Sequence, residues 1–305
     1  MKTRSATSSR AGLSTAVSRL AFKAFLRVLS APAAVLLLSG ALAGSACAGP
    51  VRTRIVSLNL CTDELLLELA DPSHILGLSP LATDCAESVR CELAQTYPVQ
   101  RPDGENLVAT HPDLVLDGTW HRLTAALVTG ALHVPFVQLP SIASLADIPV
   151  QIRTVAHAIG EEARGEDMIR AFEERLENLH PAQPEKILTA TVIGANLAGE
   201  EGGLISDLLK RAGFRLSASE RPDGTIALET LIAHPPDLLV TDMISESSSL
   251  AENVVHHPAL QGRFTGAHRL ALPGRLTMCG TPETLDALEA LVAAHDRLTA
   301  AEPSP

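Results

Sequence analysis

Trp120 and His121 stand directly after the apolar run "DLVLDGT", where a strand would hand over to a loop. The indole, the chain's single Trp, offers a flat face on which a ligand can stack. The imidazole could meet a ligand or a metal centre carried within one. A buried core tryptophan and a merely exposed histidine are the other readings of this pair. Asn59, Asn196, Asp242 and Met278 sit at or just after the comparable runs "RIVSL", "TVIG", "DLLVTD" and "LTM". Catalysis is not marked out. G-x-S-x-G and H-E-x-x-H are both missing, and the adjacent His256 and His257 would point apart on a helix. "ANLAGEEGG" is glycine-rich but lacks G-x-G-x-x-G and the phosphate-loop Gly-Lys-Ser/Thr. It is expected to be a turn that lets a ligand approach backbone, with no nucleotide site. The expected chemistry is binding, with no cofactor.

Cys85 and Cys91 lie close together in the polar stretch "DCAESVRC". In an oxidising compartment such a pair is expected to form a disulfide, because no second pair or nearby His completes a four-ligand metal site. Cys61 and Cys279 have apolar or small neighbours and are expected to be buried thiols. The compartment is indicated by residues 1–48, which carry Lys2, Arg4, Arg10, Arg19, Lys23 and Arg27 and no acid. They run through "APAAVLLLSGALAG" to "SACAGP", with Ala46 and Ala48 at the minus-three and minus-one places of a cleavage site. This is the pattern of a secretory signal, with the mature chain starting near Gly49. The apolar run falls short of the roughly 20 residues of a membrane span. Lipidation of Cys47 is the alternative, although "GSA" before it lacks the expected Leu.

Without those six positive charges the formal balance falls from -11 to -17. The mature chain has no basic cluster to offer a phosphate backbone, so neither nucleic acid nor an anionic membrane surface is expected as a partner. A soluble, exported monomer is expected.

The positioning elements follow from periodicity. "RIVSL" reads as a strand, Asn59 or Thr62 as a cap, "DELLLELA" as a helix stopped by Asp71 and Pro72, and "HILGLSP" as a second strand. Strand, helix, strand with short connections is a parallel unit. Glu105 opens a helix that ends before Pro112, then "DLVLDG" and "PFVQL" add strands. Residues 146–181 keep a helical period through Ile148, Ile152, Val155 and Ile159, break at Gly160, and resume at Ile169, Phe172, Leu176 and Leu179. They read as connecting helices, a long rigid connector, or else ordinary surface helix. A second set follows: "KILTATVIG", "LISDLLKRAG", "LETLIAH", "PDLLVTDM", "HPALQGRF", "RLALP", and a last helix starting at Thr281 and Pro282. "ENLVATHPDLVLDGTW", residues 105–120, returns as "ETLIAHPPDLLVTDMI", residues 229–244. The expected fold is therefore α/β, with two Rossmann-like parallel-sheet lobes, residues 49–145 and 182–305, joined by the connector around one ligand cleft.

In this order the chain resembles the periplasmic substrate-binding proteins of ABC importers that carry cobalamin, haem and ferric siderophores. "RIVSLNLCTDELLLELADPSHILGLS" resembles the family's opening strand and helix, with Thr62-Asp63 and Glu64 at its Thr-Glu pair. "LVATHPDLVL" resembles its first-lobe hallmark and "RLTMCGTPETLDALEAL" its closing strand and helix. The resemblance implies a two-lobed binder that gives an iron chelate or a corrinoid to an inner-membrane ABC permease. It also implies docking through an acid eight places before the repeated Asp, here Glu105 and Glu229. The same acids would suit helix N-termini. Tyr97 and Arg101, in "YPVQRPDG", are ligand candidates by loop position. A free-metal binder using His121 and Asp242 and an exported two-lobed enzyme remain as alternatives.

Overall fold

Ile55, Val56 and Ser57 are all buried, so the first strand is covered on both faces, as parallel sheets packed between helices require. The computed structural model describes residues 54–119, 128–194, 203–217, 227–242 and 257–301. All belong to the compact unit Ser45–Pro305. The expected signal segment, Cys47 and Gly49 lie outside the described residues.

The first lobe contains β1 (Ile55–Ser57), α1 (Leu60–Leu69), β2 (Ile75–Gly77), α2 (Cys91–Ala94), α3 (Gly104–Thr110), β3 (Leu114–Gly118) and β4 (Phe136–Leu139). The second contains β5 (Leu188–Ile193), α6 (Leu204–Arg211), β6 (Phe214–Leu216), α7 (Leu228–Ala233), β7 (Leu238–Asp242), α8 (Pro258–Gln261), β8 (Arg269–Leu272), α9 (Arg275–Met278) and α10 (Thr284–Ala301). Both sheets are parallel, in the orders β2-β1-β3-β4 and β6-β5-β7-β8. The same permutation twice is what the repeated segment leads one to expect.

Register makes the equivalence residue-specific. Ile55 pairs with Leu114 and Ala190 with Leu238, so the aspartates before β3 and β7 occupy matching places. The Asp113 carboxylate accepts the Arg54 N–H at 3.1 Å. That of Asp237 accepts both the N–H and the hydroxyl of Thr189, at 2.6 and 2.7 Å. Each aspartate ties the start of the lobe's third strand to the start of its first.

The connector is two helices, α4 (Asp147–Ile159) and α5 (Glu162–Asn178), divided at Gly160 where the sequence period breaks. Gly160 ends α4 in the left-handed region at φ 81°, which a glycine reaches without steric cost. The two helices cross closely at Gly165, where a Cβ would lie 2.5 Å from that of Ala156. Helix α5 runs between the lobes. Near its start Arg164 donates to the carbonyl of Leu69, and near its end the carbonyl of Leu176 accepts from Arg211 of α6. Seventeen residues span about 25 Å at 1.5 Å each. One apolar core runs from Ile55 and Leu66 through Ile152 and Phe172 to Leu208 and Leu288, so the connector is embedded in both lobes.

One element is added to the expectations and two of them need correction. Strand β6 is an addition to the elements read from the sequence, because its run Phe214–Leu216 is interrupted by the exposed Arg215 and shows no apolar stretch. The last helix starts at Thr284, because residues 281–283 form turns that pass N–H bonds from Thr284 and Leu285 back to the carbonyls of Thr281 and Pro282. Cys61 and Cys279 are not thiols: they form a disulfide with Cα atoms 5.0 Å apart. Cys85 is joined to Cys91.

Candidate functional site

The Cys61–Cys279 bond locates the site. Cys61 lies just past the C-terminal end of β1, and Cys279 just past α9, which follows β8. At the other end of α9, the Gly274 N–H donates to Asp242 at the C-terminal end of β7, at 3.2 Å. A continuous chain of contacts therefore joins the C-terminal strand ends of both lobes. Those ends are where open parallel sheets bind ligands.

Asn59 caps α1, accepting the Cys61 N–H at 3.0 Å through its side-chain oxygen. Its amide lies against Gly118, at the end of the neighbouring strand β3. The turn is braced from below. The Ser57 and Thr62 hydroxyls are 2.7 Å apart, and Asp63 accepts the Ser79 N–H at 3.1 Å. Burial pushes the Asp63 carboxyl up to about 6, against the opposing effect of its Ser57 and Ser79 hydrogen bonds. Glu64 accepts the Val89 N–H at 2.9 Å and is driven by burial to about 7, with nearby Glu283 adding to the rise. The Thr-Asp-Glu run thus fixes the floor of the site from within the lobe.

Asp242 and Met278 are half-buried beside this seam. Met278 belongs to the short helix α9 and not to a strand end. Arg101 is exposed, while Tyr97 is half-buried and packs on the main core. Trp120, His121 and Asn196, with most of "ANLAGEEGG" and His256, lie outside the described residues. Among those described, no group of three or more His, Cys, Asp and Glu side chains is placed to hold a metal ion.

An open pocket of about 440 Å³ lies on another side, against α1, α5 and the start of α10. Its charges are matched: Arg90 pairs with Glu68 and Glu283, and Arg175 with Asp286 and Glu289. These pairs link α1 and α5 to the C-terminal helix, reinforcing the seam instead of offering charge to a ligand. Glu105 and Glu229 are both exposed, one in the first turn of α3 and the other in the first turn of α7.

Residues 55–268 match the profile of the periplasmic binding protein family. The chain belongs to that family. Solved structures similar to this binding protein include a periplasmic heme binding protein from Pseudomonas aeruginosa, at 21% identity and TM-score 0.63, covering 84% of this chain and 96% of the other. Another is the periplasmic heme-binding protein RhuT from Roseiflexus sp. RS-1, at 22% identity and TM-score 0.61, covering 80% and 98%. A third is the vitamin B12 binding protein BtuF of Vibrio cholerae, at 18% identity and TM-score 0.59, covering 81% and 98%. At such identities the likeness is one of fold. No curated relative matches this binding protein.

Proposed function

We propose that this chain is the periplasmic solute-binding component of an ABC importer. It captures an iron chelate, siderophore or haem, or a cobalamin-like corrinoid between its lobes and passes it to the inner-membrane permease. It acts as a monomer and makes or breaks no bond. The observation that carries this reading is the seam at Cys61–Cys279, which brings the ligand-binding ends of two parallel sheets to a common border. The heme- and vitamin B12-binding relatives of the same fold favour a large, flat ligand.

Asn59, Asp242 and Met278 form the floor of the site, and Tyr97 and Arg101 its first-lobe rim. Trp120, His121 and Asn196 complete it from the segments that follow β3 and β5. Glu105 and Glu229 dock on the permease, one from each lobe. Export by residues 1–48 puts the mature protein in the oxidising compartment that its two disulfides require.

A binding screen against cobalamin, haemin and several ferric siderophores tests the proposal. One class should quench Trp120 fluorescence and raise the melting temperature as a bound ligand must. No binding by any class, or one tightly held metal ion per chain in protein purified without added ligand, would overturn it.

A further inference from the structure

Glu105 and Glu229 do not stand alone on their helices. Three residues further on, Val108 is 49% exposed and Ile232 is 39% exposed, whereas Leu107 and Leu231 between them are buried at 0% and 1%. An isolated aliphatic side chain in water is ordinary. Here the arrangement of acid outward, leucine inward and β-branched aliphatic outward recurs at equivalent places in both lobes. Each helix is also braced at its C-terminal end by an arginine from elsewhere. Arg54 donates to the carbonyls of Thr110 and His111, at 2.5 and 2.9 Å, and Arg263 to that of Ile232, at 3.2 Å. The two arginines are not equivalent in the repeat, so each lobe braces its helix by its own means.

We propose that Val108 and Ile232 are the apolar anchors of the permease contact; this rests on the docking role given to Glu105 and Glu229 above. The carboxylates call for a cationic side chain on the partner. The aliphatic one turn away calls for an apolar hollow beside that cation, from which contact expels water. Two copies of the patch call for two equivalent subunits, as in a two-fold permease. The acids steer the approach, and the aliphatics slow the departure.

The test is docking of the full mature protein, without ligand, on its cognate permease in lipid nanodiscs at low and high salt. Val108→Ser combined with Ile232→Ser should weaken docking about tenfold, mainly through faster dissociation and alike at both salts. Glu105→Gln combined with Glu229→Gln should weaken it chiefly at low salt, where screening is least. The exchanged pair Val108→Ile with Ile232→Val should dock as the parent does. If the serine pair docks like the parent while the glutamine pair is weakened, the anchors are overturned and the docking reading stands. If neither pair is weakened, the docking reading falls and the anchors with it. A melting temperature lowered by the serine pair would assign both residues to the fold and also overturn the proposal.

Discussion

Asp242 lies so close over Gly194 that a Cβ there would come within 2.6 Å of the aspartate's own Cβ. The first lobe makes the same contact with the partners exchanged, since Asn59 at the end of the first strand lies over Gly118 at the end of the third. By the strand register, Asn59 is equivalent to Gly194 and Gly118 to Asp242. Each lobe thus sets one polar side chain and one glycine side by side at the C-terminal ends of its strands, from opposite strands. The two halves of the fold are alike in frame and complementary in the side chains they set at those strand ends.

This pairing separates the effects of two conservative changes. In Gly194→Ala the new methyl meets a Cβ fixed to the backbone, so β5 or β7 must shift and the bond from Asp242 to Gly274 is disturbed. A loss of about 1–3 kcal/mol is expected, as for other overpacked sites, with weaker ligand binding. In Gly118→Ala the methyl meets the Asn59 amide, which can rotate away, so the loss should be smaller. Denaturant unfolding of the two variants checks the order.

The disulfides differ in what they constrain. Cys61 and Cys279 are 218 residues apart and Cys85 and Cys91 only 6. Loop-closure entropy puts the first at about 5 kcal/mol and the second at about 2. Cys61→Ser with Cys279→Ser should therefore lower stability the more, and should also speed ligand release, because the bond fixes the seam between lobes. Cys85→Ser with Cys91→Ser should leave the release rate unchanged. Stopped-flow dissociation of the ligand found in the binding screen distinguishes them.

The repeated aspartates should be unequal. Asp237 holds two donors of a half-buried threonine, and Asp113 holds the N–H of the exposed Arg54. Asp237→Ala is expected to cost about 1–3 kcal/mol by stranding those donors. Asp113→Ala should cost less, because water can reach the freed N–H. Thermal unfolding of the two variants gives the comparison.

Local chemistry made part of this legible from sequence. Asn59 before "LCTDELLLEL" is a cap by residue type and position, and the helix-to-strand unit around each "PDL" is written in its own periodicity. Glu105 and Glu229 stood out because the unit occurs twice. What depends on distant contacts was not legible. The Cys61–Cys279 bond joins residues whose neighbours, taken locally, suggest thiols. The hairpin of α4 and α5 rests on the contact of Gly165 with Ala156, which no helical period reveals. Asp63 and Glu64 are buried because loops from 16 and 25 residues away close over them, which the local run "TDE" does not reveal.

Those two acids set a pH dependence whose sign is fixed. Their carboxyls are raised to about 6 and about 7 in the folded chain, whereas unfolded carboxyls titrate near pH 4. Between pH 4 and 7 the folded state keeps protons that the unfolded state has released, so stability falls as pH rises. The loss begins above pH 4 and is complete only about a unit above the folded Glu64 value of about 7. The melting temperature should therefore be higher at pH 5.5 than at pH 8. Glu64→Gln keeps an acceptor for the Val89 N–H and carries no charge to bury. It should raise stability at pH 8 by roughly 1–3 kcal/mol, since each pKa unit is worth about 1.4 kcal/mol, and should flatten the profile between pH 5.5 and 8. Arg90 and Glu283 face Glu64 with opposite charges. Scanning calorimetry across this range checks both, and a Glu64→Gln variant that is less stable at pH 8 than the parent would overturn the assignment.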